Sequence, residues 1–277
     1  MLPFALWHQP TINEKPKADP MKHSVLTACT IALLLLFLSA CARPPAPVER
    51  PALVPFDLQA LKARADHWRD CRSKLRLRVD SKTAKFSARA IVLVKGRHFA
   101  RFETFGPIGQ TAALYVANET GPGLLIPSEK VAFTAQRPET LIRYFLGVSL
   151  PFETFRHTLT ASIPAEQIET LQTRLEDGVL HAVSKDGTRF FDWQFLSDPP
   201  ALKGFQVQDE DFRASISYDP PVPLTPGEVP KKIRLSSVDW NMEVSIEQLE
   251  PAPDFQPSVF YLPNLPGIKT VDLDKIK

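Results

Sequence analysis

Short stretches of alternating apolar and polar residues dominate the chain from residue 72 to residue 249. In KLRLRVDSK, Leu75, Leu77 and Val79 alternate with arginines, which is the pattern of a strand with one buried face. The clearest hairpin is GVLHAVSKDGTRFFDWQFL, whose turn is Asp186-Gly187. About eleven such strands, separated by turn residues at fairly regular intervals, predict an antiparallel sandwich or barrel.

The apolar spacing changes to that of helices in three places. In FDLQALKARADHWRD, apolar residues recur at helical spacing, which predicts an amphipathic helix over about residues 57–70. RPETLIRYFLG carries Pro138 near its start and Gly147 at its end, as helices commonly do, and SLPFETFRHTLTASIP places its phenylalanines on one helical face. The fold class predicted is therefore mainly β (α+β), with a leading helix, a two-helix insertion near 138–160 and a long proline-rich loop at 219–230.

An apolar run from residue 25 to residue 42 ends abruptly at a proline-rich stretch. The run is short for a membrane-spanning helix, which needs about 20 predominantly apolar residues. The segment that begins at Met21 and includes this run has the basic start, apolar core and small residues of a signal peptide. Its last four residues, LSAC, resemble the bacterial lipobox, and that resemblance implies cleavage before Cys41 and lipid attachment to Cys41. The alternative is an uncleaved anchor helix.

These features divide the chain into four parts. We expect residues 1–20 to lie upstream of the true start and residues 21–40 to form a lipoprotein signal peptide. Residues 41–55 then supply the lipidated cysteine and a proline-rich tether, because such segments act as extended spacers. Residues 56–277 are predicted to form the folded domain, held by its lipid anchor at the periplasmic face of a membrane.

Neither charge nor motif content indicates an enzyme or a nucleic-acid-binding protein. Lys and Arg total 33 against 31 for Asp and Glu, and this near balance predicts no nucleic-acid partner. The chain has no G-x-S-x-G, Walker-type, H-E-x-x-H or C-x-x-C motif, and its histidines are scattered. We therefore expect no enzyme, no cofactor and no metal site, although folding alone can assemble a catalytic cluster. Cys71 is left without a partner in the mature chain, either as a buried apolar residue or as a reactive thiol.

Three stretches within residues 99–163 carry a resemblance to a known family. FETFGPIGQTAALYV is similar to a strand, a Pro-apolar-Gly loop and a second strand of the outer-membrane lipoprotein receptor LolB. GLLIPSEKVAFTA resembles the next hairpin, and PETLIRYFLGVSLPFETFRHTLTASIP resembles the two helices that follow. The wider superfamily includes the periplasmic lipoprotein carrier LolA.

The resemblance implies a fold and a task. The fold is an incomplete antiparallel β-barrel that encloses helices and leaves an apolar cavity, and the task is to bind acyl chains of lipoproteins. A cavity is needed because each methylene exposed to water costs about 0.8 kcal/mol. The acyl-chain cavity is expected to be lined by Leu141, Ile142, Phe145, Phe152, Phe155, Phe191, Trp193 and Phe195.

The resemblance also implies partners, a location and an insertion loop. The partners are lipoprotein acyl chains, a periplasmic LolA-like carrier and the outer membrane, with the protein acting as a monomer. Ala42, in place of an Asp, favours the outer membrane. In FGPIGQT, Ile108 either folds back onto the sheet or projects from the loop to help insert cargo into the membrane. The alternative function is a structural or envelope-assembly lipoprotein that uses the same barrel as a protein-binding scaffold.

Overall fold

The computed structural model describes residues 57–210, 212–252 and 254–276. The predictions that concern the signal peptide, Cys41 and the tether lie outside these residues. Within them, strands predominate and helices are few and short.

Fourteen strands and four α-helices make up the described part of the chain. The strands are β1 (Asp70–Ser81), β2 (Lys85–Lys95), β3 (Phe99–Phe105), β4 (Thr111–Asn118), β5 (Gly121–Ile126), β6 (Val131–Thr134), β7 (Gln172–Glu176), β8 (Val179–Asp186), β9 (Arg189–Ser197), β10 (Pro200–Gln208), β11 (Arg213–Pro223), β12 (Lys232–Ser236), β13 (Trp240–Pro251) and β14 (Lys269–Asp272). The helices are α1 (Leu58–His67), α2 (Pro138–Leu146), α3 (Phe152–Thr160) and α4 (Ala165–Ile168). Three short 3-10 helices occupy Pro127–Glu129, Pro257–Phe260 and Leu273–Lys275.

All fourteen strands belong to one sheet, in the order β14-β6-β5-β4-β3-β2-β1-β13-β12-β11-β10-β9-β8-β7. Neighbouring strands are antiparallel, except that β14 runs parallel to β6. Because β14 and β7 lie at the two ends of this order, the sheet is not closed. The arrangement is consistent with an open barrel.

The strand count differs from the eleven expected from the sequence, since β7, β10 and β14 gave no clear signal. β7 is a polar edge strand, QTRLE, and β14 has only four residues and pairs with a strand far away in sequence. β10 loses its alternation at a register shift between Leu202 and Gly204. A bulge of this kind adds a residue to one strand and so breaks the period of two.

The proline-rich stretch at 219–230 is not entirely a loop, which corrects the prediction. Residues 219–223 continue β11, where Val222 pairs with Leu202 of β10 and Asp219 pairs with Lys232 of β12. Proline cannot donate to a ladder and is tolerated near bulges, and this part of β11 faces the register shift of β10.

One face of the sheet is apolar and buried. In β1, Leu75, Leu77 and Val79 are buried while the arginines between them are exposed. The same alternation continues in β13, where Met242 and Val244 are buried. An antiparallel sheet of this kind needs a cover over its apolar face and can leave the other face in water.

Helix α3 packs against strands from two distant parts of the sheet. The ring of Phe155 lies 5.8 Å from that of Phe102 in β3, with the two rings edge to face. At the other side, the Tyr218 hydroxyl of β11 donates a hydrogen bond of 3.1 Å to the Thr158 carbonyl. Most side chains of α3 are buried, so this helix forms part of the core.

Arg64 of α1 joins three segments through backbone carbonyls. It is 1 % exposed, and its guanidinium donates to the end of α3 and to the connection after β11. The acceptors are the carbonyls of Thr160, Ala161, Pro223, Thr225 and Glu228, at 2.8 to 3.3 Å. Burial lowers the pKa of Arg64 to about 10, so the side chain is charged at neutral pH and suits the negative end of the α3 dipole.

We expect Arg64→Met to lower the free energy of unfolding by at least about 3 kcal/mol, because several buried carbonyls lose a charged donor. Denaturant unfolding of the purified protein measures this change. Arg78→Met is the matched control, since Arg78 is exposed on β1, and it should change stability by less than about 0.5 kcal/mol. A loss below about 1 kcal/mol for Arg64→Met would mean that the five bonds do not hold these segments together.

His157 of α3 is buried in its neutral form. Its Nε2 lies 3.1 Å from Nη2 of Arg156, and because a guanidinium can only donate, Nε2 must be the acceptor. The Glu153 carboxylate is 3.8 Å from the same nitrogen but is paired with Arg156 at 2.8 Å. Burial and the neighbouring Arg156 hold the pKa of His157 well below its usual value.

This histidine should make the fold less stable in mild acid. The unfolded chain takes up a proton near pH 6.5 while the folded chain does not, so stability falls as the pH drops below that value. Between pH 7.5 and pH 5.5 the loss from this one group is about 1.4 kcal/mol. In His157→Gln, which keeps an acceptor for Arg156, this component should disappear from the pH dependence of denaturant unfolding. An unchanged pH dependence would show that His157 takes up its proton equally well in the folded and the unfolded chain, which would contradict its burial in the neutral form.

Candidate functional site

A small apolar pocket lies between α2, α3 and the strands β3 to β5. Its free volume is about 20 Å³, which is about the space of one water-sized sphere. Its walls are side chains that are mostly buried, and none of them carries a charge. They are Phe102, Tyr115, Leu124, Leu141, Ile142, Phe145, Leu146, Leu150, Phe152 and Phe155.

Five of the eight residues predicted for an acyl-chain cavity meet at this pocket. These are Leu141, Ile142, Phe145, Phe152 and Phe155. The sequence did not predict the lining residues from β3, β4 and β5, nor Leu146 at the end of α2 and Leu150 between the two helices. Phe102 is a buried residue of the alternating strand β3, whereas Tyr115 and Leu124 lie in the continuous buried runs of β4 and β5. Neither pattern says which strands face which helix.

The other three predicted residues lie outside this pocket, in β9. Phe191 stacks on Trp193 with 5.6 Å between ring centroids, and Trp193 packs against Phe205 of β10 at 4.3 Å. Phe195 is also fully buried. The Trp193 indole N–H donates to Ser184 at 3.1 Å. In this part of the sheet the interior is filled by aromatic side chains.

The one polar atom on the pocket wall stays uncharged. The Tyr115 hydroxyl is buried and has no hydrogen-bond partner among the described residues. Burial raises the pKa of Tyr115 above its usual value, and the carboxylates of Glu139 and Glu153 act in the same direction. The ring of Tyr115 stacks on that of Phe152 at 5.7 Å, so the wall remains apolar at neutral pH.

A larger groove lies next to the pocket, with Phe145 on the wall of both. The groove has a volume of about 820 Å³ and runs between the start of β2 and the loop after β3. Its apolar lining includes Phe86, Ala88 and Ala90 of β2. Phe145 is partly exposed, and its ring lies 6.3 Å from that of Phe86. Phe145 therefore separates the closed pocket from the open groove.

The loop at 106–110 borders the groove and projects one apolar side chain into solvent. Ile108 is 89 % exposed, so it does not fold back onto the sheet. The loop is closed by backbone hydrogen bonds from Gly106 to Gln110 at 2.8 Å and from Gly109 to Gly106 at 3.0 Å. Glycine is required at 109, where φ is +85°, and a Cβ at 106 would collide with the Gln110 side chain.

Outside the pocket and groove, the described residues offer few groups that could bind a metal ion or act as a nucleophile. They contain no cluster of three or more His, Cys, Asp or Glu side chains that could hold a metal ion. Cys71 is buried, and burial raises the pKa of its thiol to about 12, which makes it an unreactive apolar residue. None of the helices in these residues is long and apolar enough to cross a membrane.

Comparisons with solved structures find several chains of similar architecture. A DUF1329 family protein from Desulfovibrio piger is 11% identical, with a TM-score of 0.48 over 74% of this chain and 95% of the other. A putative outer membrane lipoprotein-sorting protein domain from Vibrio parahaemolyticus is 12% identical, with a TM-score of 0.46 over 73% and 95%. A LolA superfamily protein from Nitrosomonas europaea is 14% identical, with a TM-score of 0.42 over 74% and 97%.

A match to a protein family, unlike the structural matches, identifies the family of this chain. No curated protein matches the chain. Residues 70–248, however, match the family described as "Outer membrane lipoprotein LolB". The match extends from the first residue of β1 into β13 and includes the apolar pocket, the groove and the Ile108 loop. The chain therefore belongs to the LolB family.

Proposed function

We propose that this protein is a LolB-like receptor that binds acyl chains of lipoproteins and helps to insert them into the outer membrane. The observation that carries the proposal is the uncharged pocket under α2, which shares Phe145 as a lining residue with an open groove. An apolar site without catalytic groups is what acyl-chain binding requires, because the driving force is burial of methylenes.

The pocket must open to accept a chain, and α2 is the element best placed to move. At about 20 Å³ the free space is far smaller than an acyl chain. Arg143 and Tyr144 of α2 are exposed, whereas α3 is buried and is fixed by Arg64 and Tyr218. We propose that the sheet encloses both helices as an incomplete barrel and that α2 acts as its lid.

The energetics favour opening when a chain is available. Moving about ten methylenes from water into the pocket gains about 8 kcal/mol. Displacing Phe145 and neighbouring side chains exposes part of an apolar wall, which costs a few kcal/mol by comparison with cavity-forming substitutions. The closed state therefore keeps water out of the empty pocket, and cargo supplies the free energy that opens it.

The protein is proposed to work while anchored at the periplasmic face of the outer membrane. Signal cleavage after residue 40 and acylation of Cys41 would leave the tether of residues 41–55 and the domain of residues 56–277. Cargo would arrive on a LolA-like carrier and pass to the monomeric receptor. Ile108 would then enter the bilayer surface and help to deliver the acyl chains.

A second candidate is a structural or assembly lipoprotein that binds a protein partner. The observation in its favour is the aromatic packing of Phe191, Trp193 and Phe205, which fills part of the interior. In that case the interior would be a solid core and the outer surface would do the binding. The two candidates differ in whether lipid ever occupies the pocket.

We expect Ile108→Glu to leave folding and acyl-chain binding intact while slowing transfer of lipoprotein to membranes. A glutamate at the tip cannot enter the apolar region, whereas a buried isoleucine gains about 1.5–3 kcal/mol. Transfer from a LolA-like carrier to vesicles, followed over time, measures the rate, and roughly a tenfold decrease is expected.

Ile108→Leu is the matched control, because it keeps an apolar tip of the same size, and its transfer rate should be normal. Cargo binding to both variants is measured in the absence of vesicles. Normal transfer by Ile108→Glu would remove the loop from the mechanism, and loss of the folded state would show that Ile108 contributes to the core.

A further inference from the structure

Val238 shares an unusual property with Ile108. Among the described residues, these are the two most exposed large apolar side chains, at 93 % and 89 %. Both stand at the tip of a turn between antiparallel strands, where polar residues and glycine are the usual choice. Val238 lies within the family match at 70–248 but outside the motif stretches within 99–163, and it has no role in the function proposed above.

The turn at 237–239 is built to hold Val238 outward. The residue before it is fixed by two hydrogen bonds: the Ser237 N–H donates to the Trp240 carbonyl at 2.9 Å, and its hydroxyl donates to the Arg213 carbonyl at 2.6 Å. The residue after it, Asp239, pairs with Lys82 of the neighbouring turn. Ser237 is thus bound to the protein and Asp239 is paired at the surface, whereas Val238 is almost fully exposed.

The sheet register places the two tips at the same end of the strands. Ser81, the last residue of β1, pairs with Trp240, and Arg89 of β2 pairs with Phe105, the last residue of β3. The turn at 82–84 therefore lies between the two tips. Four strand spacings separate the tips, about 19 Å measured across the strands, and Phe105 is level with Arg76, five residues before β1 ends at Ser81. Strands tilted by about 36° need such a stagger for their ends to lie on one rim.

Among the described turns at the opposite end of the strands, no tip resembles Val238 or Ile108. Its turns are Gly-Arg-His at 96–98, Glu-Thr at 119–120, Asp-Gly at 177–178 and Asp-Pro at 198–199. None of these turns presents a large exposed apolar side chain. The groove is lined in part by Phe86 and Pro107, which lie at the end of the strands that carries Val238. The exposed apolar tips and the groove are therefore on the same side of the molecule.

We propose that Val238 and Ile108 together form a membrane-contact rim whose partner is the surface of a lipid bilayer. This inference rests on the proposed function, since it extends the insertion role from one loop to two. Two contacts about 25 Å apart, once the offset along the strands is included, define a direction, which a single residue cannot do. They turn the mouth of the groove toward the bilayer, so that an acyl chain leaves the protein directly into lipid.

The tether is long enough for this orientation. Residues 42–57, sixteen in number, precede α1, and an extended proline-rich chain of that length spans about 50 Å. β1 has 12 residues and is about 40 Å long. The rim can therefore reach the membrane even though β1 begins at the opposite end of the sheet.

The test places an environment-sensitive nitrobenzoxadiazole label on single cysteines in the full lipid-anchored chain. The vesicles contain phosphatidylethanolamine and phosphatidylglycerol. Labels at Val238→Cys and Ile108→Cys should brighten severalfold on anchoring and be quenched by lipids brominated on their acyl chains. A label at Thr120→Cys, at a turn tip of the opposite end, is the control and should do neither. Cys71 is buried, and the unlabelled parent chain corrects for any background.

A functional variant completes the test. Val238→Glu should slow transfer of lipoprotein to vesicles by roughly threefold to tenfold, and Thr120→Glu should leave the rate unchanged. A response at 108 with none at 238 would overturn the rim while leaving the proposed function in place. No change in fluorescence at either position would overturn both the rim and the insertion role. Cargo binding measured without vesicles would then decide whether acyl-chain binding stands. An equal response at 120 would overturn the orientation.

Discussion

The apolar face of an open sheet must be kept from water, and the rest of the structure follows from how this chain does so. A fully closed barrel could fill its own interior, but β7 and β14 end the sheet without meeting. Helices α2 and α3 therefore supply apolar side chains to the exposed face. Burial of this surface is the main free-energy gain of the fold, and every element that covers it is also a possible lid.

The two helices of this cover differ in how completely they are buried. Helix α3 is buried and its end is bound by Arg64 through carbonyls that belong to distant segments. Helix α2 buries Leu141, Ile142 and Leu146, while Arg143 and Tyr144 on its other side are exposed. In the proposed mechanism α3 stays in place and α2 moves, so that the closed apolar pocket can admit a chain and then release it.

The sequence predicted the strands that alternate and the helices bounded by Pro138 and Gly147, because these signals are local. The sequence did not predict β10, where a register shift disrupts the alternation, or β14, which pairs with a strand far away in sequence. The helix side of the pocket was predictable from apolar spacing on α2 and α3. Its strand side depends on which strands face those helices. The same limit applies to the prediction for Phe191, Trp193 and Phe195. Their alternation predicts that they face inward, but it does not distinguish a cavity wall from a packed core.

The central claim is that an acyl chain occupies the space beneath Phe145. Photo-crosslinking in cells from a p-benzoylphenylalanine at position 145 tests it most directly, because this residue is an aromatic on the wall of both pocket and groove. Position 190 is the matched control, as Phe190 is a half-exposed aromatic of β9 that lines neither cavity. The account predicts acylated lipoprotein trapped from position 145 and none from position 190. Failure to trap lipoprotein from 145, or equal trapping from both positions, would contradict it.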